Sequence, residues 1–166
     1  MAAALLACRA SADRGEPLTF ERLAAWQAVV LGGEVAFRTA DAWAKGGRER
    51  YSLAEDTPRR FAAALEEADR PSVPLPVRAA RAYLDVCFFH PFEDGNARAS
   101  RLALDFVVTR AGRALHAVEP LFVVARSASD ARGAWALAWL VERFLAARVD
   151  EGGPRGTMVQ GRQAGR

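Results

Sequence analysis

One segment of this chain constrains the fold more than any other: the stretch from Gly95 to about Ala111. Its spacing is helical, and its apolar residues fall on most sides of the helix instead of on one face. Helices with that pattern are usually buried at the centre of a domain, so we expect the rest of the chain to pack around this one. Gly112 ends the pattern. The apolar positions are Ala99, Leu102, Ala103, Leu104, Phe106, Val107 and Val108.

Four other segments carry helix signals. Thr19 is of a residue type that caps helices, and Gly32-Gly33 ends the segment that follows it. Thr57-Pro58 is predicted to be a cap followed by proline at the first helical position. A proline-rich linker, 71–76, leads into a further helix. The predicted helices run from Thr19 to Gly32, from Thr57 to Arg70, from Val77 to Phe89 and from Ser127 to Arg148, with a short connection through Pro120 before the last.

The segment 34–53 interrupts the helical pattern. Val35–Thr39 and Ala42–Ala44 are predicted to be short extended pieces, and Gly46-Gly47 is predicted to form a turn. A β-hairpin or flap fits this segment better than a helix. The predicted fold class is therefore all-α, with one small β excursion.

Composition narrows the class of protein. A length of 166 residues suits one domain with a single core, and 51% hydrophobic and 26% charged residues are typical of a soluble globular protein. No apolar run approaches the ~20 residues that span a bilayer, so we expect no membrane partner and a cytoplasmic location. The net charge is only +3, and opposite charges are interleaved without a basic stripe, which argues against nucleic-acid binding.

The two ends of the chain are predicted to lie outside the central domain. Residues 1–16 are small, polar and alanine-rich, and are typical of an N-terminal arm or a short helix. Residues 149–166 are rich in glycine and arginine and have little to bury, so we expect a flexible tail. Cys8 and Cys87 give neither a disulfide framework nor the spacing of a metal site.

The chemistry of the chain is concentrated in residues 90–101, HPFEDGNARASR. His90 can act as a general base, because an imidazole with a pKa near neutrality can accept a proton from a hydroxyl, although a histidine at a helix end can also be purely structural. Asp94 can hold Mg²⁺, which favours one or two carboxylates with phosphate oxygens, or it can serve only as a helix N-cap. Phe92 is expected to insert into the core and fix the loop.

The second half of this motif has the character of an anion-binding turn. Gly95-Asn96 adds little bulk, so backbone N–H groups can approach phosphate oxygens closely where the helix begins. Arg98 and Arg101 are three residues apart and are predicted to share a helix face, where two guanidinium groups can bind distal phosphates. The plainer interpretation is a turn followed by a solvated helix face.

The motif from His90 to Arg98 resembles the signature of Fic-domain proteins, His-Pro-Phe-x-Asp/Glu-Gly-Asn-Gly/Lys-Arg. Phe37-Arg38-Thr39, Trp43 and Tyr51 are similar to the family's flap region. The resemblance covers roughly residues 17–148. It implies a compact, all-helical, Fic-type bundle with a β-hairpin flap, about 34–53, over the active site.

By that resemblance the chain transfers AMP from ATP to a Tyr, Thr or Ser hydroxyl of a target protein. His90 is then the general base, and Asp94 holds Mg²⁺ between the α- and β-phosphates. Gly95, Asn96 and Ala97 form the anion-binding turn, with the Asn96 side chain also reaching phosphate. Arg98 and Arg101 steady the β- and γ-phosphates. The flap docks the target by main-chain pairing, with Phe37, Arg38, Thr39, Trp43 and Lys45 as its residues.

Two features leave alternatives open. Ala97 stands where the family most often has glycine or lysine, and the Doc branch, which phosphorylates its target, carries lysine there and replaces the glycine before asparagine. Gly95 with Ala97 therefore favours AMP transfer over a Doc-like kinase toxin. A Fic protein using another nucleotide and a catalytically idle binding module are the further alternatives.

Regulation is the second open point. Glu151-Gly152 matches part of the family's inhibitory pattern but lacks its hydroxyl residue, and Gly153-Pro154 would end a helix at once. A chance match is the simpler interpretation of Glu151. Without an inhibitor in the same chain, a small antitoxin-like protein could supply one in trans.

Overall fold

The computed structural model describes residues 1–115, 118–123 and 130–146. They form seven α-helices, one turn of 3₁₀-helix and one two-stranded hairpin, as the predicted fold class requires. In chain order the elements are α1 (Ala2–Asp13), α2 (Phe20–Leu31), β1 (Ala42–Ala44), β2 (Glu49–Tyr51), α3 (Thr57–Glu66), the 3₁₀ turn (Glu67–Asp69), α4 (Leu75–Phe89), α5 (Asn96–Arg110), α6 (Glu119–Val123) and α7 (Ala131–Ala146).

Helix α5 is the centre of the domain, as its all-round apolar pattern predicts. It packs most closely on α4, with α1 and α2 on other sides of it. Because its neighbours approach from several directions, its buried residues are distributed around the helix. The buried side chains of α5 are those of Asn96, Ala99, Ser100, Leu102, Ala103, Leu104, Phe106, Val107 and Val108.

Helix termini follow the sequence signals with small shifts: α4 begins at Leu75, inside the predicted linker 71–76, and the helix predicted from Thr57 to Arg70 is divided into α3 and the 3₁₀ turn. The Thr19 hydroxyl accepts a hydrogen bond from the Arg22 N–H, and Gly32 ends α2 in the left-handed conformation, so both predictions for this helix are confirmed. Thr57 is the first residue of α3 and not its cap. α3 therefore starts one residue earlier than predicted. The Thr57 hydroxyl accepts a hydrogen bond from the N–H of Ala54 at 2.9 Å, in the turn before the helix.

The N-terminal segment is a helix packed into the core, and not a peripheral arm. Ala4, Cys8 and Ala12 lie on one face of α1 and are buried, because small side chains at helical spacing allow a close approach to α5. Arg9 also donates two hydrogen bonds to the carboxylate of Asp105 on α5. The sequence of residues 1–16 left an arm or a short helix open, and the structure shows the short helix.

The hairpin differs from the prediction in its strands. β1 and β2 are antiparallel, with Ala42 opposite Tyr51 and Trp43 opposite Arg50. Val35–Thr39, predicted to be an extended strand-like piece, does not belong to the sheet. The reason is tertiary: Phe37 and Arg38 within that piece pack inward against the domain, so the segment is a support for the hairpin.

The last part of the chain matches the prediction only in outline. Residues Glu119–Val123 form the short helix α6 where a plain connection through Pro120 was expected. The predicted start of the final helix at Ser127 and its end at Arg148 lie outside the described residues, as do the tail 149–166 and Glu151. None of the helices in the described part of the chain is long and apolar enough to cross a membrane.

Candidate active site

His90 ends α4 in a backbone conformation that favours glycine. Its φ and ψ are 50° and 57°, in the left-handed region where a non-glycine residue costs about 1 kcal/mol or more. The His90 N–H closes the helix by donating to the Val86 carbonyl at 3.1 Å. Glycine would end this helix with less strain, so this chain carries a backbone cost at the residue that bears the imidazole.

The ring of His90 has one nitrogen occupied and one left for chemistry. Nδ1 lies 3.3 Å from the carbonyl oxygen of Cys87. A carbonyl only accepts hydrogen bonds, so Nδ1 carries the proton and Nε2 is the basic nitrogen of the neutral ring. Burial, and secondly the positive charge of Arg38, lower the pKa of His90. The lowered pKa favours the neutral ring at neutral pH.

Tyr51 covers one face of the His90 ring. The two rings are stacked, with centroids 4.0 Å apart and planes inclined by 17°. The Tyr51 hydroxyl donates to Glu49 at 3.0 Å, and Glu49 also accepts from Lys45 at 2.6 Å. Burial, followed by the hydrogen bond to Glu49, raises the pKa of Tyr51 to about 12. β2 thus brings a neutral aromatic side chain directly onto the candidate base.

Arg38 ties the hairpin to the end of α4. Its side chain is buried, and its guanidinium donates to the carbonyl oxygens of Phe89 and His90 at 3.4 and 2.8 Å. The same group donates to the carbonyls of Ala40 and Ser52, which flank the two strands. Burial lowers the pKa of Arg38. One buried cation therefore positions both the backbone that carries His90 and the base of the hairpin.

These contacts correct part of the predicted docking flap. Arg38 is 4% exposed, so its side chain is not free to meet a target, and Phe37 is half-buried against Phe20 and Phe61, with ring centroids 5.3 and 6.1 Å apart. Thr39, Trp43 and Lys45 are exposed, as a docking surface requires.

The register of the hairpin divides its side chains between two faces. Tyr51 lies over His90 on the inner face of the hairpin. Trp43 pairs with Arg50, the neighbour of Tyr51, so the Trp43 side chain lies on the outer face. Trp43 is 60% exposed, and the guanidinium of Arg50 lies 5.7 Å from the centre of its ring. The hairpin therefore has one face turned to the site and one turned to solvent.

Phe92 and Asn96 lock the loop that follows His90. Phe92 is fully buried and stacks on Phe20 at 5.6 Å between ring centroids. The Asn96 side chain is 3% exposed and spans the turn: its Oδ1 accepts from the Phe92 N–H at 3.0 Å, and its Nδ2 donates to the Phe92 carbonyl at 2.8 Å. Both polar atoms of the Asn96 side chain thus have a partner inside the loop, and contact of its second Nδ2 N–H with phosphate stays a prediction.

The turn before α5 depends on glycine. Gly95 has φ +76°, and its N–H donates to the Asp94 carboxylate at 2.6 Å. Its carbonyl accepts from the N–H groups of Arg98 and Ala99, which begins the helix. The first N–H groups of a helix have no acceptor within it, so those of Asn96 and Ala97 are the natural partners for an anion here.

The charged side chains of the motif are arranged in two separate places. Arg98 lies 3.3 Å from the carboxylate of Asp94, and both side chains are largely exposed, at 42% and 78%. Arg101 instead lies over the ring of Phe122 on α6, 4.5 Å from its centre. The structure brings Arg98 and Asp94 together and holds Arg101 apart, although the helical spacing predicted that the two arginines act as a pair.

Asp94 presents an exposed carboxylate at this site, next to Arg98. No group of three or more His, Cys, Asp or Glu side chains in the described residues could hold a metal without help from a ligand. A single exposed carboxylate does fit Mg²⁺, which commonly takes one or two protein carboxylates and completes its shell with phosphate oxygens and water.

One residue at the site was missed in the sequence. Gln27 is fully buried in α2 and its Nε2 donates to the Asp94 carbonyl at 2.8 Å. It lies four residues after the buried Leu23, so a polar residue at a core-facing helical position was the available signal.

Comparisons with known proteins agree with this geometry. The profile of the Fic/DOC family matches residues 17–108, more than half of the chain. A Fic-domain-containing signaling protein from Bacteroides thetaiotaomicron is similar in structure, with a TM-score of 0.57 and 27% identity over 68% of this chain and 47% of that one. Fic-1 from C. elegans, residues 134–508, has a TM-score of 0.56 and 17% identity over 85% and 49%, a likeness of fold.

The chain spans about half the length of these two solved structures. No curated protein matches it. The match to the family profile includes α2, the hairpin, α4 and the motif up to Val108, which are the parts that build the site described above. This chain belongs to the Fic/DOC family.

Proposed function

We propose that this protein is an adenylyltransferase that transfers AMP from ATP to a tyrosine, threonine or serine hydroxyl of a target protein. One observation carries the proposal. His90 offers an unprotonated Nε2, fixed by its Nδ1 contact with Cys87, on the loop that runs into the N-terminus of α5. A base beside an anion-binding helix terminus is what nucleotidyl transfer to a hydroxyl needs.

The reaction requires the protein to accept one proton. The target hydroxyl oxygen forms a bond to the α-phosphorus of ATP while the bond from that phosphorus to the bridging oxygen of pyrophosphate breaks. The hydroxyl proton moves to Nε2 of His90, and pyrophosphate leaves. The lowered pKa of His90 supports this role, because the ring is in its basic form before the hydroxyl arrives.

Positioning and charge neutralisation supply the remaining catalysis. The N–H groups of Asn96 and Ala97 and the dipole of α5 favour phosphate at the turn. Asp94 would hold Mg²⁺, which when bound neutralises charge on the phosphates. Arg98 would then exchange its contact with Asp94 for a phosphate oxygen, and Arg101 would leave the Phe122 ring to do the same.

The hairpin is the proposed docking element for the target. A two-stranded sheet leaves one edge of each strand unpaired, and an extended target segment can add to such an edge by main-chain hydrogen bonds. Trp43 in β1 and Lys45 directly after it are exposed. Main-chain pairing is tolerant of sequence, so the target is defined by an extended, hydroxyl-bearing segment. An antitoxin-like protein acting in trans remains part of the proposal for regulation.

The position of the label tests this function. The protein, MgATP and cell lysate are incubated with ATP labelled at either the α- or the γ-phosphate, and labelled proteins are separated by gel. AMP transfer gives label from the α-phosphate only. Transfer from the γ-phosphate alone would contradict the proposal and favour the kinase activity of the Doc branch. Label from neither position would favour a binding module.

A further inference from the structure

Gln27 is a polar side chain in the core. It is 0% exposed on α2, at a position where helical spacing calls for an apolar residue. Burying an amide is costly unless its polar atoms are hydrogen-bonded. Its Nε2 has a partner, the Asp94 carbonyl at 2.8 Å, whereas its buried Oε1 has no hydrogen-bond partner among the described residues.

The same amide shapes the turn at Gly95. A Cβ added to Gly95 would lie 2.1 Å from the Gln27 Nε2, far inside any real carbon contact. Gly95 is therefore favoured by its φ of +76°, and a Cβ there would in addition force the end of the Gln27 side chain to move. Gln27 thus contacts the turn from the buried face of α2.

We propose that Gln27 is a positioning residue of the active site: its buried amide holds the Asp94–Gly95 peptide so that the first N–H groups of α5 face the phosphates. The proposal rests on the proposed nucleotide-transfer function for its catalytic consequence. The structural half, that Gln27 fixes the turn, stands on the Asp94 hydrogen bond and the Gly95 contact alone.

A substitution that conserves volume separates this role from plain packing of the core. Gln27→Met removes the hydrogen bond to Asp94 and keeps the volume. We expect the variant to unfold within a few degrees of the wild type, because loss of the bond to Asp94 is offset by removal of the buried Oε1, while it transfers AMP more slowly.

The first experiment compares Gln27→Met with Leu23→Ala, which removes buried side chain from the same face of α2 one turn earlier. For Gln27→Met we expect kcat/KM for MgATP to fall about 10- to 100-fold, as for a small misplacement of binding groups, with an unchanged pKa of His90. Leu23→Ala should lower Tm and keep kcat/KM within about 2-fold at temperatures where it is folded. Transfer by folded Gln27→Met within about 2-fold of wild type would overturn the proposal.

A second experiment does not depend on activity. The drop in Tm caused by Gly95→Ala is measured with Gln27 present and in a Gln27→Ala background. If the amide holds the turn, the drop is smaller without it, because the clash at Gly95 is relieved and only the strain of positive φ remains. Equal drops in the two backgrounds would overturn the proposal. If wild type transfers no label at all, the proposed function fails, and this cycle still decides the role of Gln27.

Discussion

The two halves of the motif are held in different ways. The first half, from His90 to Phe92, is fixed by buried groups: the Arg38 guanidinium on the backbone, Tyr51 on the imidazole and the aromatic cluster around Phe92. The second half, which contains Asp94 and Arg98, presents largely exposed charges that pair with one another. Its backbone is fixed, but its charged side chains are not.

This difference matches what each half has to do. A base must meet a hydroxyl in a defined geometry, so the position of His90 has to exist before the substrate binds. Phosphate-binding side chains can exchange one partner for another at little cost, because an exposed ion pair contributes only about 0–1 kcal/mol. The buried half therefore holds the base in a defined position, and the exposed half offers charged side chains that can bind a ligand.

The largest effect on stability is expected for Arg38→Met. The substitution leaves the carbonyls of Phe89, His90 and Ser52 without a buried donor, so we expect the free energy of unfolding in denaturant to fall by about 3 kcal/mol. Arg48→Met is the matched control, because Arg48 is exposed in the turn of the hairpin, and it should change stability by less than about 0.5 kcal/mol. Equal effects of the two substitutions would contradict the claim that Arg38 supports the site.

A smaller loss is expected for Asn96→Ala. The variant removes both hydrogen bonds to the buried Phe92 backbone and should lower the free energy of unfolding by about 2 kcal/mol. Ser100→Ala, on the same helix, loses only a local bond to the Ala97 carbonyl and should cost under about 1 kcal/mol. If Asn96→Ala keeps its stability and loses only affinity for ATP, the side chain binds phosphate after all.

Tyr51→Ala tests the cover over His90. Loss of the stacked ring should cost about 1 kcal/mol of stability and expose the imidazole, so the pKa of His90 should rise toward its ordinary value near 6.5. The acid limb of the transfer rate then moves to higher pH. Trp43→Ala on the outer face of the same hairpin should leave the pKa unchanged in an NMR titration. A pKa of His90 that stays constant in Tyr51→Ala would show that Tyr51 does not control it.

The lowered pKa of His90 also predicts how the free energy of unfolding changes with pH. The unfolded chain takes up a proton on this imidazole more readily than the folded protein does, so protonation favours unfolding. The free energy of unfolding should therefore decrease as pH falls below about 6.5. Tyr51→Ala should weaken that decrease, because its folded-state pKa lies closer to the unfolded one.

The smallest effect on stability is expected for Asp94→Asn. Its ion pair with Arg98 is exposed, so the free energy of unfolding should change by less than about 0.5 kcal/mol. Mg²⁺-dependent binding of ATP, measured by calorimetry, should weaken about 10-fold. Glu93→Gln, the neighbouring exposed carboxylate, is the control and should bind MgATP as the wild type does. A large loss of stability in Asp94→Asn would contradict the division of the motif into a fixed and a free half.

Sequence reasoning succeeded where local chemistry decides the structure. The apolar pattern of α5, the Thr19 cap and the Gly32 stop are local signals, and each has its predicted place. The existence of a hairpin was also predictable from its glycine-rich turn.

Sequence reasoning failed where contacts between residues distant in the sequence determine the structure. Of the two extended pieces predicted there, Ala42–Ala44 is β1, whereas Val35–Thr39 is not a strand because Phe37 and Arg38 are drawn inward by partners up to 52 residues away. Gln27 meets Asp94 across 67 residues, a pairing that no local pattern contains. The Asn96 side chain has the right chemistry for phosphate, and only its burial shows that it serves the loop.

The measurement that tests the central claim most directly is transfer of α-labelled AMP by wild type, His90→Ala and His116→Ala, the last altering the other histidine of the chain. If His90 is the base, its substitution should reduce the labelling rate about 10²- to 10⁴-fold, with thermal unfolding close to wild type, and His116→Ala should label normally. Labelling by folded His90→Ala at the wild-type rate would contradict the account.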